Sequence, residues 1–208
     1  MNTEYDHINW EYPKPRSKGF GGFIDKLVGP GATTAELWIQ FGFAVAAGLT
    51  VLFFGLQPEA SWTGWQVVVA SYLAFDICGG IGTNATSSAK RWWHRKERRH
   101  FKNDMKFILP HFYMPLMITL AFFPGDWAFF FIIYGYLIFG AVTMAKLPLY
   151  LRRPVAMVLY TGALLMNAYL FEMPLLIAWF IPLIYLKLFI AHLLREEPYR
   201  PEFERAEK

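Results

Sequence analysis

Six predominantly apolar runs, each close to twenty residues long, divide this chain, and all 20 of its lysines and arginines fall on the same side of the alternation they impose. An α-helix rises about 1.5 Å per residue, so about 20 residues cross a hydrocarbon core about 30 Å thick. In that solvent every backbone donor and acceptor must be satisfied within the protein, and a helix does so by itself. The expected fold is therefore all-α: a polytopic membrane helix bundle of six transmembrane helices, with spans near 35–56, 65–88, 105–123, 127–145, 154–171 and 175–194. An arm at 1–34 precedes the bundle and a charged tail at 195–208 follows it.

The charges orient this bundle. One side collects the arm, the connector running from Lys90 to Lys106, the segment Lys146 to Arg153, and the tail, while the opposite loops hold only the acids Glu59, Asp126 and Glu172. Basic residues stay on the cytoplasmic side, so both termini are expected in the cytoplasm of a protein of the cell (cytoplasmic/inner) membrane. A composition 55% hydrophobic and 19% aromatic agrees, being too apolar for an ordinary soluble domain. The net charge of +4 then reads as orientation and as attraction to anionic lipid headgroups, not as a nucleic-acid footprint. Membrane lipids are the expected partners, with a second copy or another membrane subunit as the protein partners to consider. The single Cys78 excludes an intrachain disulfide.

Local signals place several boundaries. Thr33 with Glu36 fits a capping box that starts a helix near Ala35, and Asp126 fits the N-cap after the turn Pro124-Gly125-Asp126. Pro110 and Pro115 should kink the third span, and Pro154 suits the first position of the fifth. Phe20 to Val28 reads as a short piece lying along the membrane surface.

The distinctive stretch runs from Asp76 to His111. On a continuous helix Asp76, Gly80, Thr83, Ser87, Lys90, Arg91, His94 and Arg98 would share about a third of the circumference. A carboxylate within an apolar segment is expensive unless it faces protein or water, so Asp76 should point into the bundle, where Gly79, Gly80 and Gly82 permit close helix approach. Asp76, His94 and His111 are the candidate catalytic groups. Thr83, Asn84, Ser87, Arg91, Arg98 and Lys187 are the candidate ligand-binding groups, the arginines because guanidinium forks beside neutral donors grip phosphate or carboxylate. Lys187 is expected to snorkel to the surface, or to pair with Asp76 where the two helices meet.

His94, His100, His111 and His192 gather near one membrane face and are the only metal ligands worth weighing. No pair has the one-turn spacing that fixes two ligands on a helix face, so a metal site is not expected. The sequence names no cofactor. The absence of G-x-S-x-G, G-x-x-x-x-G-K-[ST] and H-E-x-x-H disfavours a serine hydrolase, a P-loop nucleotidase and a gluzincin. What remains is a cytoplasm-facing pocket for an amphiphilic, anionic, lipid-like ligand, either for binding alone or as the site of a lipid- or isoprenoid-modifying enzyme. Two alternatives stand beside it: a small-solute or ion transporter with Asp76 as coupling carboxylate, and an assembly subunit of a membrane complex.

Overall fold

The computed structural model describes residues 12–16 and 18–195, so the expected tail lies outside the described residues beyond Arg195, as does most of the first half of the arm. All regular structure among them is helical. In chain order the α-helices are α1 (Gly19–Val28), α2 (Thr34–Gly55), α3 (Gly64–Ala85), α4 (Ser87–Trp93), α5 (Phe101–Ile108), α6 (Tyr113–Phe122), α7 (Trp127–Lys146), α8 (Leu149–Tyr169) and α9 (Phe180–Tyr185). A π-helical segment, Leu186–His192, continues α9.

Among the described residues, five stretches are long and apolar enough to cross a membrane: α2, α3, the α5–α6 unit Phe101–Phe122, α7, and Leu175–His192. The chain is thus a multi-pass membrane protein by length and composition. The helix expected as a fifth span, α8, has 21 residues but carries Arg152 and Arg153 near its start and Asn167 near its end, which dilute its apolar character.

Side-chain caps start four of these α-helices, α2, α3, α4 and α7. Thr33 and Glu36 form the expected capping box, with Thr33 N–H donating to Glu36 Oε2 at 2.7 Å and Glu36 N–H to Thr33 Oγ1 at 3.2 Å. Thr63 and Gln66 repeat it at the start of α3, and Asp126 caps α7 by accepting from Phe129 N–H. Pro154 does not open α8. The helix begins five residues earlier, after Pro148, whose fixed φ of −59° already suits a helix entry. From this first turn Arg152 reaches back to the carbonyls of Ala145 and Leu147, satisfying acceptors that the end of α7 leaves free.

Two spans depart from regular helix where the sequence carries proline or a hydroxyl. The third is interrupted by a 3-10 turn, Leu109–Phe112, that contains Pro110, and Pro115 follows in the first turn of α6. The second ends at Ala85 instead of running to Ser88. Thr86 turns extended (ψ 150°), and its hydroxyl accepts from Ala89 N–H to cap a new helix, α4. The polar stripe read as one face is therefore split between α3 and α4, because a threonine that can bond to backbone two or three residues on competes with helix continuation.

The core is built by α3, α5–α6, α7, α9 and the π-helix around Leu73, Ile77, Ile108, Ile118, Ile133, Leu137, Phe180 and Phe189. Tyr185 is wholly buried there and donates to Ile133 O at 2.7 Å. The outer helix α2 packs almost entirely on α3 through small residues: a Cβ at Gly79 would lie 2.8 Å from Ala44 Cβ, and one at Gly82 3.3 Å from Gln40 Cα. The stretch Phe20 to Val28 folds within the helix α1, with Phe20, Phe23 and Leu27 exposed and Asp25 held inward by Arg16 (Nη2 to Oδ1 2.7 Å). Its end is closed by α4: Ser88 Oγ donates to Val28 O, Trp92 Nε1 to Lys26 O and Trp93 Nε1 to Leu27 O. Gly29 makes this fit possible, since it holds φ +91° and any Cβ there would strike Ser88 O.

Candidate functional site

At the bundle end where α2 starts and α3 finishes, α2, α3, α5 and the π-helix leave a cavity of about 230 Å³. Asp76, Gly80, Thr83 and Asn84 come to it from the last three turns of α3, where i, i+4 and i+7 spacing keeps them on one face. Lys187 comes from the π-helix, Gln40 from α2, and His111 from the 3-10 turn beside Pro110. Leu27, Phe41 and Phe75 are the lining residues that stay well exposed, and they form the mouth. The cavity has a polar floor and an apolar rim.

The floor centres on an ion pair. Lys187 is 4% exposed and donates from Nζ to Asp76 Oδ2 at 2.9 Å and, more weakly, to Asp76 O at 3.3 Å. Tyr113 donates from its hydroxyl to the same Oδ2 at 2.7 Å. Of the two courses open to Lys187, pairing prevails over snorkelling, and Gly80 is the reason: the lysine stem crosses α3 where a Cβ would run into its Cε. In a low-dielectric interior an unpaired ammonium is far costlier than one with a carboxylate, and the bare glycine surface lets the two meet.

Three of the four histidines cluster around Phe107. The His192 ring stacks on Phe107 with centroids 3.3 Å apart, and His111 lies 4.9 Å from the same ring. Each imidazole is committed to an oxygen. His94 Nε2 donates to His192 O at 2.8 Å, His192 Nδ1 to Asn84 Oδ1 at 3.3 Å, and His111 Nδ1 to Phe107 O at 2.8 Å, the tautomers following from carbonyl groups that only accept. His94 lies outside the cavity lining, and burial, reinforced by the charge on Lys90, pushes its pKa down to about 3. His100 is exposed at the start of α5. Among the described residues no three of His, Cys, Asp and Glu come together as metal ligands.

The cationic candidates lie elsewhere. Arg98 stacks over the Trp93 ring at 4.6 Å, so it reaches the cavity only through that ring, which lines it. Arg91 is buried within α4, and Ser87, half-buried at the first position of α4, is outside the lining as well. Lys90, a member of the expected polar stripe, clamps the end of the last span with Nζ 2.6 Å from both Ala191 O and Leu194 O. Of the candidate site residues, then, Asp76, Thr83, Asn84, His111 and Lys187 are brought together, and His94, Ser87, Arg91 and Arg98 surround them without lining the cavity. The residues missed are Tyr113, which donates to Asp76, and Gln40. Gln40 is 1% exposed in the cavity wall, and neither Oε1 nor Nε2 has a hydrogen-bond partner among the described residues. A lone carboxamide in an otherwise apolar α2 was a legible signal, since polar groups inside a membrane span are expensive and need a reason. Compared with known proteins, the chain matches no family model, no curated protein and no solved structure.

Proposed function

We propose that this protein is a six-span membrane protein, with both termini cytoplasmic, that binds an amphiphilic, lipid-like molecule in the cavity. The amphiphile's polar head reaches the Asp76–Lys187 floor and its chains leave between Leu27, Phe41 and Phe75. The observation that carries this reading is the joining of a charged, buried floor to an exposed apolar rim on one cavity. A soluble metabolite has no use for that rim, and a purely structural contact has no use for the space. The six-span count rests on α8, whose 21 residues give about 31 Å of helix and which packs against α7, α9 and the π-helix. The orientation rests on the basic connector, which would meet anionic headgroups of the cytoplasmic leaflet.

Lipid analysis of the purified protein tests the proposal. Thr83→Phe places a ring in the cavity away from the ion pair, and it should strip a co-purifying lipid while leaving the melting temperature near that of the wild type. Equal lipid occupancy in both proteins would remove the reading. A carrier is the second reading, favoured by an intramembrane ion pair whose lysine sits on a π-helix, a rare geometry found mostly at functional sites. Asp76→Asn, compared with the wild type at equal amounts of folded protein in proteoliposomes, separates the two, because loss of solute flux at retained fold marks Asp76 as a coupling group.

A further inference from the structure

We propose that the head bound in this cavity is uncharged and bears hydroxyl or amide hydrogens, as in a diacylglycerol, in place of the anion suggested by the arginines of the connector. This inference rests on the amphiphile-binding reading and narrows it to a ligand class.

The argument is an inventory of donors and acceptors. Among the described residues Lys187 is the one cation lining the cavity, and Asp76 already neutralises it at 2.9 Å. A phosphate or carboxylate arriving there would have to displace Asp76 or sit beside it as a second anion, and like charges a few ångströms apart in a weakly screening interior repel strongly. The remaining polar groups ask for hydrogens. Gln40 offers an unpartnered acceptor, Oε1, together with the donors on Nε2. His111 uses Nδ1 to donate to Phe107 O, so in the neutral ring its Nε2 accepts. Asp76 receives two donors on Oδ2 and retains Oδ1 as an acceptor. A doubly ionised phosphate monoester brings acceptors alone and leaves the Gln40 and His111 acceptors unmet. A hydroxyl or amide both donates and accepts, which is what a carboxamide pairs with. Buried polar groups of native proteins are satisfied, and at Gln40 the groups already present do not satisfy it. The guanidinium groups able to hold an anion lie behind the Trp93 ring or within α4, away from the lining.

The test uses the full-length protein in phosphatidylcholine nanodiscs with two photoreactive probes that carry the same diazirine acyl chain, one a diacylglycerol and the other a phosphatidate. Labelled peptides are mapped by mass spectrometry. The diacylglycerol should label the segments around Phe41 and Phe75 about tenfold more than the phosphatidate, the factor expected when one buried hydrogen-bonding group goes unpaired. Gln40→Met, which preserves the side-chain shape, should lower diacylglycerol labelling to the phosphatidate level with the melting temperature retained. Phosphatidate labelling equal to or above that of the diacylglycerol overturns the uncharged head and leaves the cavity proposal standing. Labelling of these segments by neither probe overturns both. If Gln40→Met unfolds, the ratio of the two probes on the wild-type protein decides alone.

Discussion

A histidine held at about 3 makes the end of this bundle sensitive to acid. Folded, His94 stays neutral because burial and the nearby Lys90 disfavour its charge; unfolded, it titrates near 6.5. Between those values the unfolded chain holds a proton that the folded chain lacks, so stability falls as pH drops, by up to about 1.4 kcal/mol per unit. The melting temperature should be level above pH 6.5 and decline below it, and His94→Gln, which retains a donor for His192 O, should reduce that slope. An unchanged slope would show that other groups set the acid response. The ion pair gives a second prediction. Asp76→Asn or Lys187→Met alone should cost about 3 kcal/mol, the low end for breaking a buried pair because Asp76 keeps 32% of its side chain exposed. The double variant should recover most of the loss, and thermal unfolding of the four proteins measures the coupling. Asp76 was legible from sequence because a carboxylate in an apolar run has few places to go. Lys187 was legible only as a choice between two courses, since whether a lysine pairs or snorkels depends on which helix lies across from it.

Helix ends and helix partners were unequally legible. Capping at Thr33 and Asp126 is a local matter of a hydroxyl or carboxylate beside free backbone N–H groups, and both stand where the sequence puts them. The break at Thr86 and the π-helix at Leu186–His192 depend on neighbours far along the chain: Glu36 Oε1 receives Ser88 N–H at 3.0 Å, tying the start of α4 to the start of α2, and Lys90 holds the last carbonyls of the final span. The α2–α3 seam is the element most open to test. Gly79→Val should destabilise by about 1–3 kcal/mol, as overpacking does, because its Cβ meets Ala44 at 2.8 Å. Gly42→Val on the open side of α2, where a Cβ meets nothing within 4 Å, is the matched control and should leave the melting temperature little changed. The same seam fixes Gln40, so Gly79→Val should also weaken retention of the amphiphile proposed for the cavity.

For the whole molecule, the long apolar runs made the membrane class plain, and α8 is where the count of crossings is decided. Cysteines introduced at Lys96, Glu59 and Glu172, with Cys78 buried and silent, separate the possibilities. A membrane-impermeant maleimide should reach Lys96→Cys from the cytoplasmic side only, and Glu59→Cys and Glu172→Cys from the opposite side only. Modification of Glu172→Cys from the Lys96 side would mean that α8 does not cross. The floor of the cavity joins residues 111 positions apart, Asp76 and Lys187, and Lys90 finds its acceptors 101 and 104 positions on. During synthesis the third helix therefore reaches the bilayer long before its counter-ion exists. Until the segment that bears Lys187 is threaded in, the acid has the Tyr113 hydroxyl at most and no ammonium beside it.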